Sequence, residues 1–228
     1  MKDKRLTLKT KRLILKPLTD IELEERIETA PDPEMKKALG EMLAGCKSDP
    51  DNRIWYTEWA FILKETGRMI GSLDFKGPEN RGEVELGYGT DEEYRCKGYT
   101  TEAVKAAIEW AFSQNGDIYY ITAETAPDNQ ASRRVLEKAG FRPSGWDGEE
   151  GPRFELERPA TNWMSIGMCL GMSLGLCFSS INIGIGLAVG MCLGLAIGAG
   201  VDFSVKAKMK DARAAHIKNK TVNENSPE

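Results

Sequence analysis

Histidine is nearly absent from this chain, and the single one, His216, lies far along in a polar stretch. A domain built from the preceding residues has no imidazole for a Ser–His–Asp or Cys–His arrangement, nor for a His-rich metal site. Cysteine is sparse. Cys46, Cys96, Cys169, Cys177 and Cys192 form no CxxC pair, and the odd count of 5 argues against a disulfide framework and for a reducing compartment. A large excess of one charge is also missing. The net charge of -4 leaves no basic footprint for nucleic acid. The charged start Met1-Lys2-Asp3-Lys4-Arg5 has no apolar run behind it, so no signal peptide is expected there. From Trp163 to Val201 charge disappears altogether.

That gap divides the chain into three parts. Residues 1–160 have the mixed composition and apolar content of an ordinary globular domain. Residues 163–201 are apolar and glycine-rich. Residues 202–228 are polar, with Lys206, Lys208, Lys210, Arg213, Lys218 and Lys220, and read as a solvated, disordered tail.

Within the first part, Arg12–Lys16 reads as a strand stopped by Pro17, and Thr19–Glu28 and Glu34–Ala44 as helices separated by Pro31 and Pro33. Trp59–Lys64 and Met69–Phe75 form a hairpin whose turn holds Gly67. Glu83–Tyr88 alternates with period two, putting Val84, Leu86 and Tyr88 on one face and Glu83 and Glu85 on the other. Thr101–Phe112 is a helix by the spacing of Val104, Ala107, Ile108 and Ala111. Tyr119–Thr125 is a strand. Asn129–Ala139 is a helix capped by Asp128 and ended by Gly140, and Phe154–Glu157 closes the sheet. The order predicts an α+β fold with a mixed, mostly antiparallel sheet flanked by helices.

The segment Tyr94-Arg95-Cys96-Lys97-Gly98-Tyr99-Thr100 lies between a strand and a helix start. A glycine turn leading into a helix aims several backbone N–H groups and the helix dipole at one spot, and Arg95 and Lys97 add full charges. Gly98 keeps a side chain out of the way. Such a turn suits a pyrophosphate; on its own it supports anion binding and no more.

This run resembles the acetyl-CoA motif of the GNAT acetyltransferase superfamily, usually Arg/Gln-x-x-Gly-x-Gly/Ala. Two further blocks fit in order: Thr10-Lys11-Arg12-Leu13-Ile14-Leu15 at the start, and Ile121–Thr125, Asn129-Gln130-Ala131-Ser132 and Glu137–Phe141 after the turn. Together they resemble the RimJ/RimL-like branch, which acetylates protein N-terminal amines and assorted small amines. The resemblance implies that the backbone of Arg95, Cys96, Lys97, Gly98, Tyr99 and Thr100 holds the pyrophosphate of acetyl-CoA. It implies that Tyr88, Gly89 and Thr90 pair edge-on with the pantetheine arm, and that Asn129 and Ser132 lie beside the sulfur, with Ser132 able to protonate the departing thiolate. Glu85 falls where the family often keeps a basic carboxylate, and Glu83 competes for that role. A carboxylate could then take a proton from the amine acceptor, and the acetyl group would pass directly, with no metal. Two departures stand out. Thr100 replaces a small residue, and Leu136 stands where many members carry a tyrosine acid. Cys96 occupies a position where the family often has glycine. Trp55, Tyr56 and Trp59 fit either an acceptor pocket or core.

In residues 163–201, glycines fall at 167, 171 and 175, then at 186, 190, 194 and 198. Each set forms a smooth helical stripe that lets another helix approach closely. Ser179–Asn182 reads as a turn between two arms. The expectation is a helical hairpin that either enters a membrane, with both ends and the enzyme cytoplasmic, or serves self-association. Three functions remain open on sequence: an N-acetyltransferase, a non-catalytic acyl-CoA sensor, and a membrane-active glycine-zipper protein with a regulatory domain.

Overall fold

A computed structural model describes residues 6–79, 82–114, 118–148, 150–177 and 183–224. The chain divides into two compact units, one ending at Arg158 and one beginning at Pro159.

The first unit runs β1 (Leu8–Lys9), β2 (Leu13–Pro17), α1 (Asp20–Glu28), α2 (Pro33–Ser48), β3 (Trp59–Leu63), β4 (Met69–Glu79), β5 (Glu83–Thr90), α3 (Tyr99–Ser113), β6 (Tyr120–Glu124), α4 (Gln130–Ala139), β7 (Arg142–Asp147) and β8 (Pro152–Glu157). One sheet takes the order β1-β2-β3-β4-β5-β6-β8-β7. Among the described pairs only β5 with β6 is parallel. That agrees with the α+β expectation and adds β7, whose Pro143 and Gly145 give no strand-like alternation.

Period-two alternation sorts the strands between two cores. Trp59, Phe61, Leu63, Leu73, Phe75, Val84, Leu86 and Ile121 pack with Ala103, Val104, Ala107 and Trp110 of α3 and Leu136 of α4. Ala60 and Ile62 point the other way, into a smaller cluster with Leu18, Leu23, Leu39 and Cys46 from the α1–α2 side. Trp55 and Trp59 prove to be core. Their rings lie 4.7 and 4.6 Å from that of Trp110, and the Trp59 indole donates to the Ile54 carbonyl at 3.0 Å. Tyr56 packs against both clusters.

Local signals explain the helix ends. Thr19 and Glu22 form a capping box before α1, and Asp32 caps α2 with Pro33 in its first turn. The expected Asp128 cap is corrected: Asn129 caps α4, its side chain accepting from the Ser132 N–H at 3.0 Å. Gly140, at φ 101°, closes that helix in the left-handed conformation.

The second unit is α5 (Trp163–Cys177) and α6 (Ile183–Glu224). The expected turn at Ser179–Asn182 lies outside the described residues. Residues 202–224, read on sequence as a polar tail, continue α6 to Glu224. No glycine or proline interrupts 201–224, and its Lys, Ala and Arg residues favour helix. The two helices meet through their glycines. A Cβ added at Gly171 would overlap the Gly190 carbonyl, one at Gly175 that of Gly186, and one at Gly167 that of Gly194. Asp202 reaches across to accept from the backbone N–H of Trp163 at 3.0 Å and of Met164 at 3.2 Å, capping α5 from the opposite helix. The outer faces carry Leu170, Leu174, Ile185, Val189, Leu193 and Ile197, each about 60% exposed.

Candidate active site

The β5–β6 ladder covers only Glu83, Val84 and Glu85, paired with Tyr120, Ile121 and Thr122, whereas β5 runs on to Thr90. Beyond Glu85 the edge of β5 facing β6 leaves the ladder, and the sheet opens at Leu86–Thr90. An open strand edge offers N–H and C=O groups to an extended, amide-bearing guest. Tyr88, Gly89 and Thr90 lie along this opening.

At its far end stands the Arg95–Thr100 turn. Gly98 is the N-cap of α3 at φ 78° and ψ 9° and supplies no side-chain cap, so the first amides of α3 stay available. Cys96 has φ 60°, a left-handed conformation that costs an L residue about 1 kcal/mol and that glycine adopts freely. Thr100 is tied to the strand end, its Oγ1 lying 2.8 Å from Thr90 Oγ1. Arg95 Nε donates to the Thr90 carbonyl at 3.2 Å, and Lys97 Nζ to the Glu93 carbonyl at 2.8 Å.

The opening motif of the chain is joined to this turn. Glu102, in the first turn of α3, accepts from Thr10 Oγ1 at 2.6 Å and from the backbone N–H and Nε of Arg12, both at 2.7 Å. Arg12 also donates to the Lys97 carbonyl at 2.9 Å and lies 4.3 Å over the Tyr99 ring. Burial alone would raise the Glu102 pKa, but the Thr10 and Arg12 bonds hold it below the usual glutamate range. The separation in sequence between Thr10–Leu15 and the turn is thus closed by one carboxylate.

At the near end, Tyr88 reaches α4. Its hydroxyl is 2.9 Å from Ser132 Oγ and donates to the Ser132 carbonyl at 3.2 Å. Burial raises the phenol's pKa, with the Ser132 bond opposing, so it stays protonated at neutral pH. Sequence reasoning placed Tyr88 here for its backbone and missed the phenol. Its face of the strand was legible, its reach to α4 was not. Leu136 is fully buried in the core. Asn129 meets Ser132 through its capping bond.

The expected base lies on the other sheet face, in a network of ions. Glu85 Oε1 pairs closely with Lys76, and its Oε2 is 3.8 Å from Arg153. Glu83 pairs closely with the same guanidinium, and Glu124 lies 2.9 Å from it. Lys76 sits in a bulge, since the β4–β5 register shifts between Phe75 and Pro78, and Glu150 is 3.7 Å from its ammonium. Sequence reasoning did not bring Lys76, Arg153, Glu124 and Asp74 to this place. Asp74 pairs in register with Gly87, and a Cβ at Gly87 would come within 2.8 Å of Asp74 Oδ1. Burial pushes the Asp74 carboxyl up to about 6, with Lys76 pulling it down and Glu58, Glu85 and Glu150 adding to the rise.

Residues 12–142 match the family described as the acetyltransferase (GNAT) domain. Among curated relatives, the chain is 36% identical over 87 residues to the uncharacterized N-acetyltransferase YjdG of Bacillus subtilis, a stretch covering 38% of this chain and 51% of that protein. The chain therefore spans about half the length of the curated relatives it matches. Among solved structures, the ribosomal-protein-S5-alanine acetyltransferase of Vibrio fischeri shares the fold at TM-score 0.52 and 17% identity, over 68% of this chain and 100% of that one. RimJ of Mycobacterium smegmatis, solved in complex with CoA-disulfide, does so at TM-score 0.51 and 18% identity, over 68% and 88%. The family match and the split sheet agree: the chain belongs to the GNAT acetyltransferase domain family.

Proposed function

We propose that the first unit is an acetyl-CoA-dependent N-acetyltransferase acting on a primary amine, of a protein N-terminus or a small molecule. One observation carries this reading: the sheet opens between an amide-lined turn at Gly98 and a protonated Tyr88–Ser132 pair. The Arg95–Thr100 backbone holds the pyrophosphate, and the free edge of Tyr88–Thr90 pairs with the pantetheine amides. The amine attacks the thioester carbonyl directly, and the C–S bond breaks as the tetrahedral intermediate collapses. Ser132 and Tyr88 supply the proton to the departing thiolate, and Asn129 keeps Ser132 in place by fixing the start of α4. Glu85 and its acidic neighbours draw the cationic amine to the opposite face. The test is release of free thiol from acetyl-CoA over a panel of peptides with free N-termini and small amines. The full-length chain is expected to turn over at least one of them. Tyr88→Phe and Ser132→Ala are each expected to lower kcat by roughly 10- to 100-fold, with acetyl-CoA affinity nearly unchanged. Tight acetyl-CoA binding with no thiol released across the panel would instead mark an acyl-CoA sensor.

The second unit is proposed to seat this enzyme at a membrane. Gly184–Ala212 has the length and mean hydropathy, 2.0, to cross a bilayer, and 17% of its most apolar window is buried. The large apolar side chains of both helices point outward, and Asp202 closes the polar end of α5. At 1.5 Å per residue α5 is about 22 Å long, short of a hydrocarbon core of about 30 Å. The hairpin then enters and returns on one side, where Lys206, Lys208 and Lys210 meet anionic headgroups. The full chain is expected to sediment with membranes and to need detergent for release, and a chain ending at residue 160 to stay in the supernatant. Release of the full chain by salt alone would count against this placement.

A further inference from the structure

We propose that Asp74 is the group that takes the proton from the incoming amine. This rests on the acetyltransferase reading of the same site and names the residue that completes it.

The carboxylates nearest Asp74 are already engaged. Glu85 holds Lys76, Glu83 holds Arg153 and is 3.4 Å from Thr122 Oγ1, and Glu124 binds Arg153 and the Glu150 N–H. Glu58 holds Arg26 through two bonds of 3.1 and 3.0 Å. A carboxylate whose lone pairs are committed to a cation is a poor proton acceptor, since protonation must break the pair. Among the described residues, the Asp74 carboxylate takes part in no side-chain hydrogen bond and in no ion pair within 4.0 Å.

Its position suits the task. Asp74 lies across from Gly87, whose missing side chain leaves space for the carboxylate over the backbone of β5. Gly87 follows the last residues of the β5–β6 ladder and precedes Tyr88, so Asp74 stands at the mouth of the opening. Leu73, the next residue on β4, pairs with Tyr88. Side chains alternate along β5, so the phenol that serves the sulfur and the carboxylate that serves the amine come from opposite faces of neighbouring residue pairs. The charged groups facing Asp74 are Lys76 on its own strand, Glu58 before β3, Glu85 on β5 and Glu150 after β7. Their balance and the burial put the carboxyl at about 6, ionised at neutral pH and close enough to it to accept a proton readily.

The step balances. The ammonium N–H bond breaks and its proton goes to an Asp74 oxygen. The freed lone pair forms the N–C bond to the thioester carbonyl. On collapse the C–S bond breaks, and the second proton lost by nitrogen replaces the one that Ser132 and Tyr88 give to sulfur. The products are the acetamide and CoA thiol, and Asp74 returns its proton to water.

The experiment uses the full-length chain in detergent, with acetyl-CoA and the best acceptor from the panel. The pH dependence of kcat/KM and calorimetric binding of acetyl-CoA are measured for wild type, Asp74→Asn, Asp74→Ser and Glu85→Gln. Wild-type kcat/KM should rise through about pH 6 as Asp74 ionises. Asp74→Asn and Asp74→Ser should lose roughly 100-fold or more at neutral pH, lack that limb, and recover toward alkaline pH as the amine deprotonates in solution, with acetyl-CoA binding within about threefold of wild type. Glu85→Gln should retain the limb near pH 6. A limb that survives in both Asp74 variants, or activity within about threefold, would overturn the proposal. So would joint loss of acetyl-CoA binding in both variants, which would make Asp74 structural. A wild-type chain that binds acetyl-CoA yet acetylates nothing would overturn the acetyltransferase reading itself, and the Asp74 role with it.

Discussion

Replacing Gly171 by leucine should push α5 and α6 apart along their whole length. Even one methyl at this position would overlap the Gly190 carbonyl, and the Gly194 Cα would lie 3.0 Å away. Both obstacles are backbone, so no side-chain rotation relieves them. The helix axes must separate toward the roughly 8–10 Å spacing of ordinary helix pairs, which breaks the glycine contacts on either side of the substitution. A cost of about 3 kcal/mol or more follows, beyond what most overpacked cores suffer. Separation also carries Asp202 away from the Trp163 and Met164 amides it caps. Spin labels at Ile166 and Ile197, in a chain whose native cysteines are serines, should report a longer and broader distance. Leu170→Ala, on the outward face at 61% exposure, is the control and should leave the distance unchanged. An unchanged distance in Gly171→Leu would show that the two helices do not pack through their glycines.

Replacing Glu102 by alanine should loosen the turn proposed to hold the pyrophosphate without touching it. The carboxylate accepts three bonds, from Thr10 Oγ1, Arg12 N and Arg12 Nε, and it is 17% exposed. Charge-assisted bonds of this kind are worth about 1.5–3 kcal/mol singly and add incompletely, so a loss of about 2–4 kcal/mol is expected. For a unit of this size Tm should fall by roughly 5–15 °C. Arg12 would lose the partner that holds it over Tyr99 and against the Lys97 carbonyl, so acetyl-CoA affinity should fall by about tenfold. The pH dependence has a definite sign. The folded-state pKa is held below the ordinary glutamate value, so the contribution is complete above that ordinary value and is lost as pH falls through the folded pKa. The difference in Tm between wild type and Glu102→Gln should therefore be full at pH 7 and shrink only in acid. A gap that did not narrow in acid would rule out the ionised carboxylate as its source.

Much of the first unit was legible because its signals are local. The spacing of Val104, Ala107, Ile108 and Ala111 set α3, and alternation set β5 and its buried Val84 and Leu86. Gly98 and Gly140 marked helix ends because only glycine takes their positive φ without strain. The cap of α4 was misplaced by one residue because Asp128 and Asn129 are equally good caps, and the helix's own phase decides between them. Strand β7 was missed because it exists through its pairing with β8 and not through its own composition. The α6 extension was missed because a polar sequence with good helix propensity looks like a solvated tail when read alone.

The site divides in the same way. The turn, Tyr88–Thr90 and the Asn129–Ser132 block are contiguous runs, and each could be read in place. The ion network joins Lys76, Glu83, Glu85, Glu124, Glu150 and Arg153 from four strands and a connection, and its assembly depends on strand order and a bulge. Nothing in the neighbourhood of Asp74 in sequence says that Gly87 will lie opposite it or that Lys76 will turn to Glu85. Long-range pairing supplies both, and with them the distinction between a committed carboxylate and a free one.

Asp202 also sets an order of events during synthesis. The ribosome releases α5 well before residue 202, so the Met164 amide emerges with its acceptor still untranslated, and the Trp163 amide has only the Thr161 carbonyl, at 3.1 Å. A helix whose first amides lack acceptors has a loose first turn. The first turn of α5 is therefore expected to stay loose until the second arm has been made. A chain halted by a stop codon at position 200 would carry the glycine stripe of both arms but not the acceptor that closes it. Its first arm should fray at the N-terminal turn and be cut there by proteases that leave the longer chain intact.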